Sequence, residues 1–313
     1  MTNLSEFTFL SSDGKTQLHG MLWEPEGVAV RAVLQICHGV AEHIARYDGF
    51  ARALNEQGIV VAGHDHLGHG KSLPEGGTPV YFGQGSTWNT VVDDIYILHQ
   101  RLKQRYPDAP LCIMGHSMGS FLTRTYLIRY PGTVKAAVIM GTGWQPRAAI
   151  TGGLALANAI AAVSGENATS ELVTELAFGS HNKLFAPNRT KVDWLSADES
   201  NVDDYIADPL CGADATVGLF RQMLHGIRFN QRQSHLRQMD REMPVLFVAG
   251  DKDPVGSCGK GVRQTYDAFR AAGMRDCTLK LYPGLRHEIL NEKAYTADIT
   301  KNIEAWLLSR LEK

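Results

Sequence analysis

The residue of this chain best placed to do chemistry is a serine flanked by two glycines. Ser117 lies in the motif Gly-His-Ser-Met-Gly at positions 115–119, between an apolar run at 111–114 and a helical pattern at 121–127. A strand, a tight turn and a helix form the setting in which a serine is exposed as a nucleophile. Small residues let neighbouring backbone approach the turn, and the N-terminus of the helix favours developing negative charge. The pattern predicts nucleophilic catalysis by Ser117; a glycine-rich turn with a capping serine is the structural alternative.

A serine hydroxyl needs a base to remove its proton, and the base needs an orienting acid. Asp251 and Asp253 directly follow an apolar run at 245–249, and His287 follows another at 278–282. Serine, acid and histidine therefore occur in the order and at the strand ends that this chemistry requires. We favour Asp253 as the acid because it lies further along the loop and has room to turn toward the histidine. Asp251 is then a loop-structuring or solvated carboxylate.

The tetrahedral intermediate of acyl transfer needs two backbone donors for its negative oxygen. The residue after the nucleophile supplies one, so Met118 N–H is the first candidate. The second comes from the loop after the third strand, where His38 and Gly39 precede Val40. We therefore predict an oxyanion hole formed by the N–H groups of Val40 and Met118.

Apolar runs that alternate with helical patterns position these residues. The alternation predicts an α/β fold with a mostly parallel, eight-stranded sheet and helices on both of its faces. The predicted strands lie at residues 7–11, 17–23, 32–37, 58–62, 111–114, 136–140, 245–249 and 278–282.

The alternation stops between residues 143 and 242, where helical patterns continue without a convincing strand. We predict a core domain at 1–142 and 243–313 with a helical cap at 143–242 inserted over the end of the sheet where ligands bind. A cap must turn some apolar surface toward the sheet, and the candidates for this surface are Ala149, Ile150, Leu154, Leu156, Ile160, Phe178, Leu184, Phe185, Phe220 and Met223.

The composition is that of an ordinary globular protein, with 44% hydrophobic and 20% charged residues. A net charge of −2 gives no reason to expect nucleic acid or a polybasic membrane contact. The first residues carry no signal-peptide pattern, so we expect a cytoplasmic protein. The most apolar window, residues 149–163, looks too short and too interrupted by glycine to span a bilayer. A cap over an acyl pocket still allows transient contact with a lipid surface; the sequence indicates no oligomeric state.

We expect no metal and no cofactor. The five cysteines are scattered and form no Cys-x-x-Cys pair, which favours reduced thiols over disulfides or a zinc site. His64, Asp65, His66 and His69 are close in sequence, but no distant loop offers a matching set of ligands. We interpret them as structural groups that hydrogen-bond the loops beside the site.

The chain resembles the α/β-hydrolase superfamily and, within it, monoacylglycerol lipase and lysophospholipase-like serine hydrolases. The resemblance covers about two hundred residues of both sheet halves. It rests on His38-Gly39-x-x-Glu42-His43 with Arg46-Tyr47, Gly63-His64-Asp65-x-x-Gly68-His69-Gly70-x-Ser72, Gly115-His116-Ser117-Met118-Gly119-Ser120, Gly250-x-x-Asp253 and His287-Glu288-Ile289-Leu290-Asn291-Glu292.

This resemblance implies a Ser117–His287–Asp253 triad, an oxyanion hole from Val40 and Met118, and a lid over an acyl pocket. The expected activity is hydrolysis of lipid-type carboxylic esters, such as monoacylglycerols or lysophospholipids, through an acyl-enzyme. The cap sequence departs from the members of this group, so acyl length and head group stay open.

Two alternatives come from other functional classes. Proline iminopeptidases share the fold and hold a substrate amine with acidic cap residues, for which this chain offers Glu166, Glu171, Glu175, Asp203 and Asp204. A catalytically inactive binding module is the other, and the complete set of serine, acid and histidine argues against it. Epoxide hydrolases and dehalogenases use an aspartate nucleophile where this chain has Ser117.

Overall fold

One eight-stranded sheet organises the protein. The computed structural model describes residues 1–175 and 179–311. The strand order is β1-β2-β4-β3-β5-β6-β7-β8; β3 to β8 are mutually parallel, and β2 runs antiparallel to both of its neighbours. This confirms the predicted mostly parallel sheet. The strands are β1 Thr2–Leu10, β2 Gln17–Pro25, β3 Ala32–Cys37, β4 Ile59–His64, β5 Leu111–His116, β6 Ala136–Met140, β7 Val245–Gly250 and β8 Cys277–Tyr282.

Both faces of the sheet are covered, and the central strands β3 to β7 are buried along their whole length. Successive side chains of a strand point to opposite faces. Val245 and Phe247 of β7 therefore join one hydrophobic core, and Leu246 and Val248 join the other. A sheet covered on both faces reads in sequence as continuous apolar runs.

Helices cover the two faces. Five of them are α1 Asp48–Asn55, α2 Trp88–Arg105, α3 Met118–Arg129, α10 Lys260–Ala271 and α11 Thr296–Leu311. Helices α1 and α11 pack on one face of the sheet, and α2, α3 and α10 pack on the other.

The segment between β6 and β7 adds no strand to the sheet among its described residues. It contains α4 Arg147–Ser164, α5 Glu171–Thr174, α6 Ser180–Lys183, α7 Glu199–Ala207, α8 Val217–Asn230 and α9 Gln233–Leu236. Helix α8 packs against both α4 and α3 and so joins this segment to the core. The division into a core and a cap at 143–242 stays a prediction.

Two local expectations were wrong. Strand β1 begins at Thr2 instead of residue 7, because its polar first half pairs with β2 at the sheet edge from Thr2↔Pro25 onward. The second expectation concerned the apolar window at residues 149–163, which lies within an 18-residue helix, α4. This helix has a mean hydropathy of 1.3, and only 17% of its residues are buried. By length and composition α4 can span a bilayer, contrary to our expectation. Its Gly153 packs closely, since a Cβ there would lie 2.8 Å from Leu224 Cδ1.

Candidate functional site

Ser117 lies on a sharp turn between β5 and α3. Its φ of 54° and ψ of −121° are strained for a residue with a side chain. The turn fits only because its two glycines have no side chain. A Cβ on Gly119 would lie 2.0 Å from Cys37 O, and one on Gly115 would lie 2.2 Å from Gly119 O. The sequence therefore forces Ser117 out at the carboxyl end of the sheet.

The structure brings Asp253 and His287 together. His287 Nδ1 donates to Asp253 Oδ1 at 3.0 Å, and both side chains are buried. The same oxygen accepts from Val255 N at 2.9 Å, which fixes the carboxylate. Asp251 lies elsewhere: its Oδ1 accepts from Gly284 N at 2.8 Å and organises the loop before the histidine. Of the two aspartates, only Asp253 contacts His287.

Ser117 and His287 line the same cavity, although no hydrogen bond joins Ser117 Oγ to His287 Nε2 among the described residues. In unliganded sites such bonds are often long and tighten when substrate binds. The N–H groups of Val40 and Met118 donate no hydrogen bond within the described part of the chain. Both residues line the cavity next to Ser117, so both donors are available to a ligand.

A buried charge network holds the loops on either side of Ser117. Glu42 accepts hydrogen bonds from Gly39 N and from Tyr47 Oη. Arg46 binds Glu42 at 3.0 Å and Glu288 through two bonds of 2.6 and 2.8 Å. Glu42, Arg46, Tyr47 and Glu288 all belong to the motifs that carried the family resemblance, where they had no assigned role. The network ties the Val40 loop to the His287 loop.

His116 belongs to the same network. Its Nδ1 lies 3.2 Å from Glu42 Oε1, and its Nε2 lies 3.3 Å from His287 O. Burial disfavours a charged His116, but the bond to Glu42 and the negative charges of Glu42 and Glu288 together outweigh burial and raise the pKa of His116. Burial likewise opposes ionisation of Glu42, yet His116 and Arg46 hold the pKa of Glu42 well below its ordinary value. Glu42 therefore stays an anion next to the site.

Two residues from the segment between β6 and β7 approach the histidine, and the sequence did not single them out. The ring of Trp194 lies 5.0 Å from the ring of His287, and His181 packs edge-on against Trp194 at 5.0 Å. Burial, with His287 close by, lowers the pKa of His181 to about 4, so this imidazole is neutral. Neither residue follows a strand, so no positional signal marked them.

Two cavities meet at Ser117. The larger, of about 670 Å³, is mostly apolar and opens between α3, α4 and α8; its size falls in the range of about 300–1,000 Å³ typical of ligand pockets. The smaller, of about 220 Å³, lies on the His287 side and is lined by more ionisable side chains than the larger one. Its lining includes Glu42, Lys191, Trp194, Tyr205, Asp214 and Glu288.

The predicted apolar surface is partly correct. Six of its members line the larger cavity: Ala149, Ile150, Leu156, Leu184, Phe220 and Met223. Leu154 and Ile160 instead pack into or against the core, and Phe185 lies under the Arg286 guanidinium, 4.1 Å from it. Phe178 lies outside the described residues.

The histidine-rich loop after β4 is packed as a structural unit. Asp65 accepts from Ile44 N and Lys71 N, and His66 N donates to His38 Nε2. Burial lowers the pKa of His64 to about 3 and of His69 to about 4, so these imidazoles are neutral. The loop thereby holds His38, two residues before Val40. Asp65 makes the hydrogen bonds that we expected of this loop, but the ring nitrogens of His64 and His66 have no hydrogen-bond partner among the described residues.

Comparison with known proteins gives the family. Residues 28–294 match the family model described as serine aminopeptidase, S33. The chain is 31% identical to a monoacylglycerol lipase of Mycolicibacterium smegmatis over 98% of both chains. It is 28% identical to the monoglyceride lipase of Mus musculus, over 96% of this chain and 90% of that one.

Among solved structures, the chain is similar to a carboxyl esterase from Bacillus coagulans in complex with glycerol. The TM-score is 0.92 at 26% identity, over 99% of this chain and 100% of that one. The description of the family model names a peptidase, whereas these full-length relatives are lipases and an esterase. The chain therefore belongs to the serine aminopeptidase S33 family of α/β-hydrolases and, within it, to the carboxylic ester hydrolases that resemble monoacylglycerol lipases.

Proposed function

We propose that the protein hydrolyses medium- to long-chain acyl esters of small polyols, with monoacylglycerols as the natural substrate class. The observation that carries this proposal is the pair of unlike cavities that meet at Ser117. An acyl chain fits the larger, apolar cavity, and burying it contributes about 0.8 kcal/mol per methylene. A hydroxylated leaving group fits the smaller cavity, which offers charged and hydrogen-bonding side chains.

In this mechanism His287 Nε2 takes the Ser117 proton as Ser117 Oγ attacks the ester carbonyl carbon. Asp253 holds the imidazole through Nδ1 and stabilises its positive charge. The N–H groups of Val40 and Met118 stabilise the oxyanion. His287 then returns the proton to the leaving alkoxide, which departs as the alcohol. Water, deprotonated by the same histidine, attacks the acyl-enzyme and releases the fatty acid with Ser117 restored.

Two observations support a small polyol as the alcohol part of the ester. The relatives described above are named for monoacylglycerol hydrolysis, and the similar esterase was solved with glycerol. In this chain Lys191 supplies a donor to the smaller cavity, and the carboxylates of Glu42, Asp214 and Glu288 supply acceptors. Three carboxylates suit the hydroxyl groups of a polyol better than a phosphate ester, whose negative charge they would repel.

The acidic residues that favoured an aminopeptidase are not placed to hold a substrate amine beside Ser117. Glu166 pairs with Arg221, Glu175 with Lys183, and Asp203 with Arg189 at 2.7 Å. Neither these residues nor Glu171 and Asp204 line the two cavities. Among the residues that the structure describes, the one exposed acid that does is Asp214.

The test is a series of esters from acetyl to palmitoyl beside prolyl-β-naphthylamide. We expect kcat/KM to rise with acyl length, by up to about fourfold per methylene, until the cavity is full. Amide turnover should be negligible. Good amide turnover that is lost in Asp214→Asn, with a flat response to acyl length, would favour the peptidase.

We further propose that α4 brings the site to lipid surfaces. Val163, near its end, is 87% exposed, and the helix lines the larger cavity through Ile150 and Leu156. Val163→Glu should weaken binding to zwitterionic vesicles, whereas Val28→Glu, at an exposed site on the core, should not. Equal binding of both variants would exclude this contact. A cytoplasmic location stays a prediction that cell fractionation tests.

A further inference from the structure

A second cluster of chemically active side chains lies outside the catalytic residues, where the core meets the cap segment. His43 comes from the loop after β3, and Asp208 and Cys211 come from the turn after α7. One ligand atom from each of these three side chains lies within 4.8 Å of the other two. Among the described residues this is the only group of three such side chains.

We propose that His43, Asp208 and Cys211 form a binding site for a zinc-class divalent cation. An imidazole nitrogen, a carboxylate oxygen and a thiolate sulfur are all ligands of zinc. Tetrahedral bonds of about 2.0–2.3 Å place such atoms about 3.3–3.6 Å apart, so small side-chain rotations bring this group into geometry. Magnesium and calcium prefer oxygen ligands alone and do not match the set.

The ligands are held in place by neighbouring bonds. Leu210 N donates to Asp208 Oδ1 at 2.9 Å, which turns Oδ2 toward His43 Nε2, 2.8 Å away. Cys211 N donates to Asp208 O at 3.0 Å and closes the turn that carries both residues. Such second bonds orient a ligand before the metal arrives and raise affinity.

Access and charge also suit a cation. The Asp208 side chain is 30% exposed, so solvent reaches the group and a water molecule can supply the fourth ligand. Arg46, three residues after His43, is already held between Glu42 and Glu288 and leaves this region with a net negative charge. Zinc with one thiolate, one carboxylate and one neutral imidazole forms a neutral unit.

The position of the site gives it a mechanical consequence. Ala41 O, next to Val40, accepts hydrogen bonds from Tyr205 Oη and from Gly212 N, both at 3.0 Å. A cation on His43, Asp208 and Cys211 would add a third connection between the cap segment and this loop. Metal binding is therefore expected to slow hydrogen exchange at Gly212 N. Metal binding at these three residues can be measured whether or not the protein hydrolyses esters.

The test uses the full chain, treated with a chelator and titrated with Co²⁺. We expect one bound Co²⁺ per chain with a thiolate-to-cobalt charge-transfer band, displaced by Zn²⁺ and insensitive to excess Mg²⁺. Cys211→Ser should abolish the band, and His43→Gln should weaken binding on the order of 100-fold. Cys258→Ser, at an exposed cysteine outside the group, should change nothing.

A second measurement needs no variant. Zn²⁺ should protect Cys211 of the unmodified chain from iodoacetamide, as mapped by peptide mass, and leave Cys258 reactive. The absence of a cobalt band, a band that survives Cys211→Ser, or equal alkylation of Cys211 with and without Zn²⁺ would overturn the proposal.

Discussion

The indole of Trp194 packs against the imidazole of His287, with ring centroids 5.0 Å apart. The two residues belong to different parts of the chain: His287 follows β8, and Trp194 lies in a short 3-10 turn, Asp193–Leu195. A backbone bond from Glu288 N to Leu195 O, 2.7 Å long, fixes the two loops together. The segment between β6 and β7 therefore forms one wall around the histidine that the proposed mechanism uses as its base.

Replacing Trp194 should impair turnover without removing any reacting group. Trp194→Ala opens the His287 face to water and frees the ring to rotate, so we expect kcat to fall about tenfold with a smaller change in KM. Trp194→Phe keeps an aromatic wall and should retain most activity. Steady-state kinetics with a p-nitrophenyl ester measure both variants. An alanine variant as active as the parent would show that the contact has no part in positioning His287.

The two aspartates of the β7 loop should respond very differently to amide substitution. Asp253→Asn replaces the carboxylate with an amide that can donate to His287 Nδ1 and hold the wrong tautomer, so it should lower kcat on the order of 10⁴-fold. Asp251→Asn, the matched control, changes only a contact with Gly284 N and should cost less than about tenfold. Circular dichroism checks that both fold. The reverse ranking in kcat would assign the acid to Asp251.

Acyl-chain selectivity should depend on which face of α4 is changed. Leu156 lines the larger cavity, so Leu156→Trp shortens it and should lower kcat/KM for palmitoyl esters about tenfold or more while leaving acetyl esters within about twofold. Val163→Trp adds the same ring at an exposed position of the same helix. If both variants lost palmitoyl activity equally, the cavity would not be the acyl site.

Acid sensitivity of the fold should come in part from His64. This imidazole is fully buried, and burial lowers its pKa to about 3 from an ordinary value of 6.5. Between these pH values the unfolded chain binds a proton that the folded chain does not, so the free energy of unfolding falls as pH falls. At pH 5 this one group removes about 2 kcal/mol relative to pH 7.5.

His64→Phe should remove that loss, since its ring can pack against Phe9 as the imidazole does. Urea unfolding at pH 7.5 and pH 5 measures the difference. The variant should lose about 2 kcal/mol less than the parent between the two pH values. Identical losses in both proteins would place the acid sensitivity elsewhere.

Much of the sheet was predictable because the pattern that marks each strand lies within a few consecutive residues. Apolar runs fix β5, β7 and β8, and the residues that directly follow them are those that converge at the carboxyl edge of a parallel sheet. The candidate residues Ser117, Asp253 and His287 were predicted in this way. Asp253 could be preferred over Asp251 because only the outer residue of the loop can reach the histidine.

The parts contributed by the segment between β6 and β7 were not predictable by the same reasoning. Trp194, His181 and Tyr205 reach the site through helix packing and short turns, so their positions depend on contacts far away in sequence. The same holds for the pairing of His43 with Asp208, which are 165 residues apart. Helical periodicity also could not decide which face of α4 lines the cavity, because nearly every position of that helix is apolar or small.

Covalent trapping of the nucleophile tests the central claim most directly. A fluorophosphonate probe should add one phosphonyl group per chain, and peptide mapping should place it on Ser117, because only a serine activated by a base attacks phosphorus quickly. Ser117→Ala should abolish labelling and lower kcat by on the order of 10³–10⁶-fold with the fold intact, and Ser120→Ala should leave labelling unchanged. Labelling that persists in Ser117→Ala, or that maps to another residue, would contradict the acyl-enzyme mechanism.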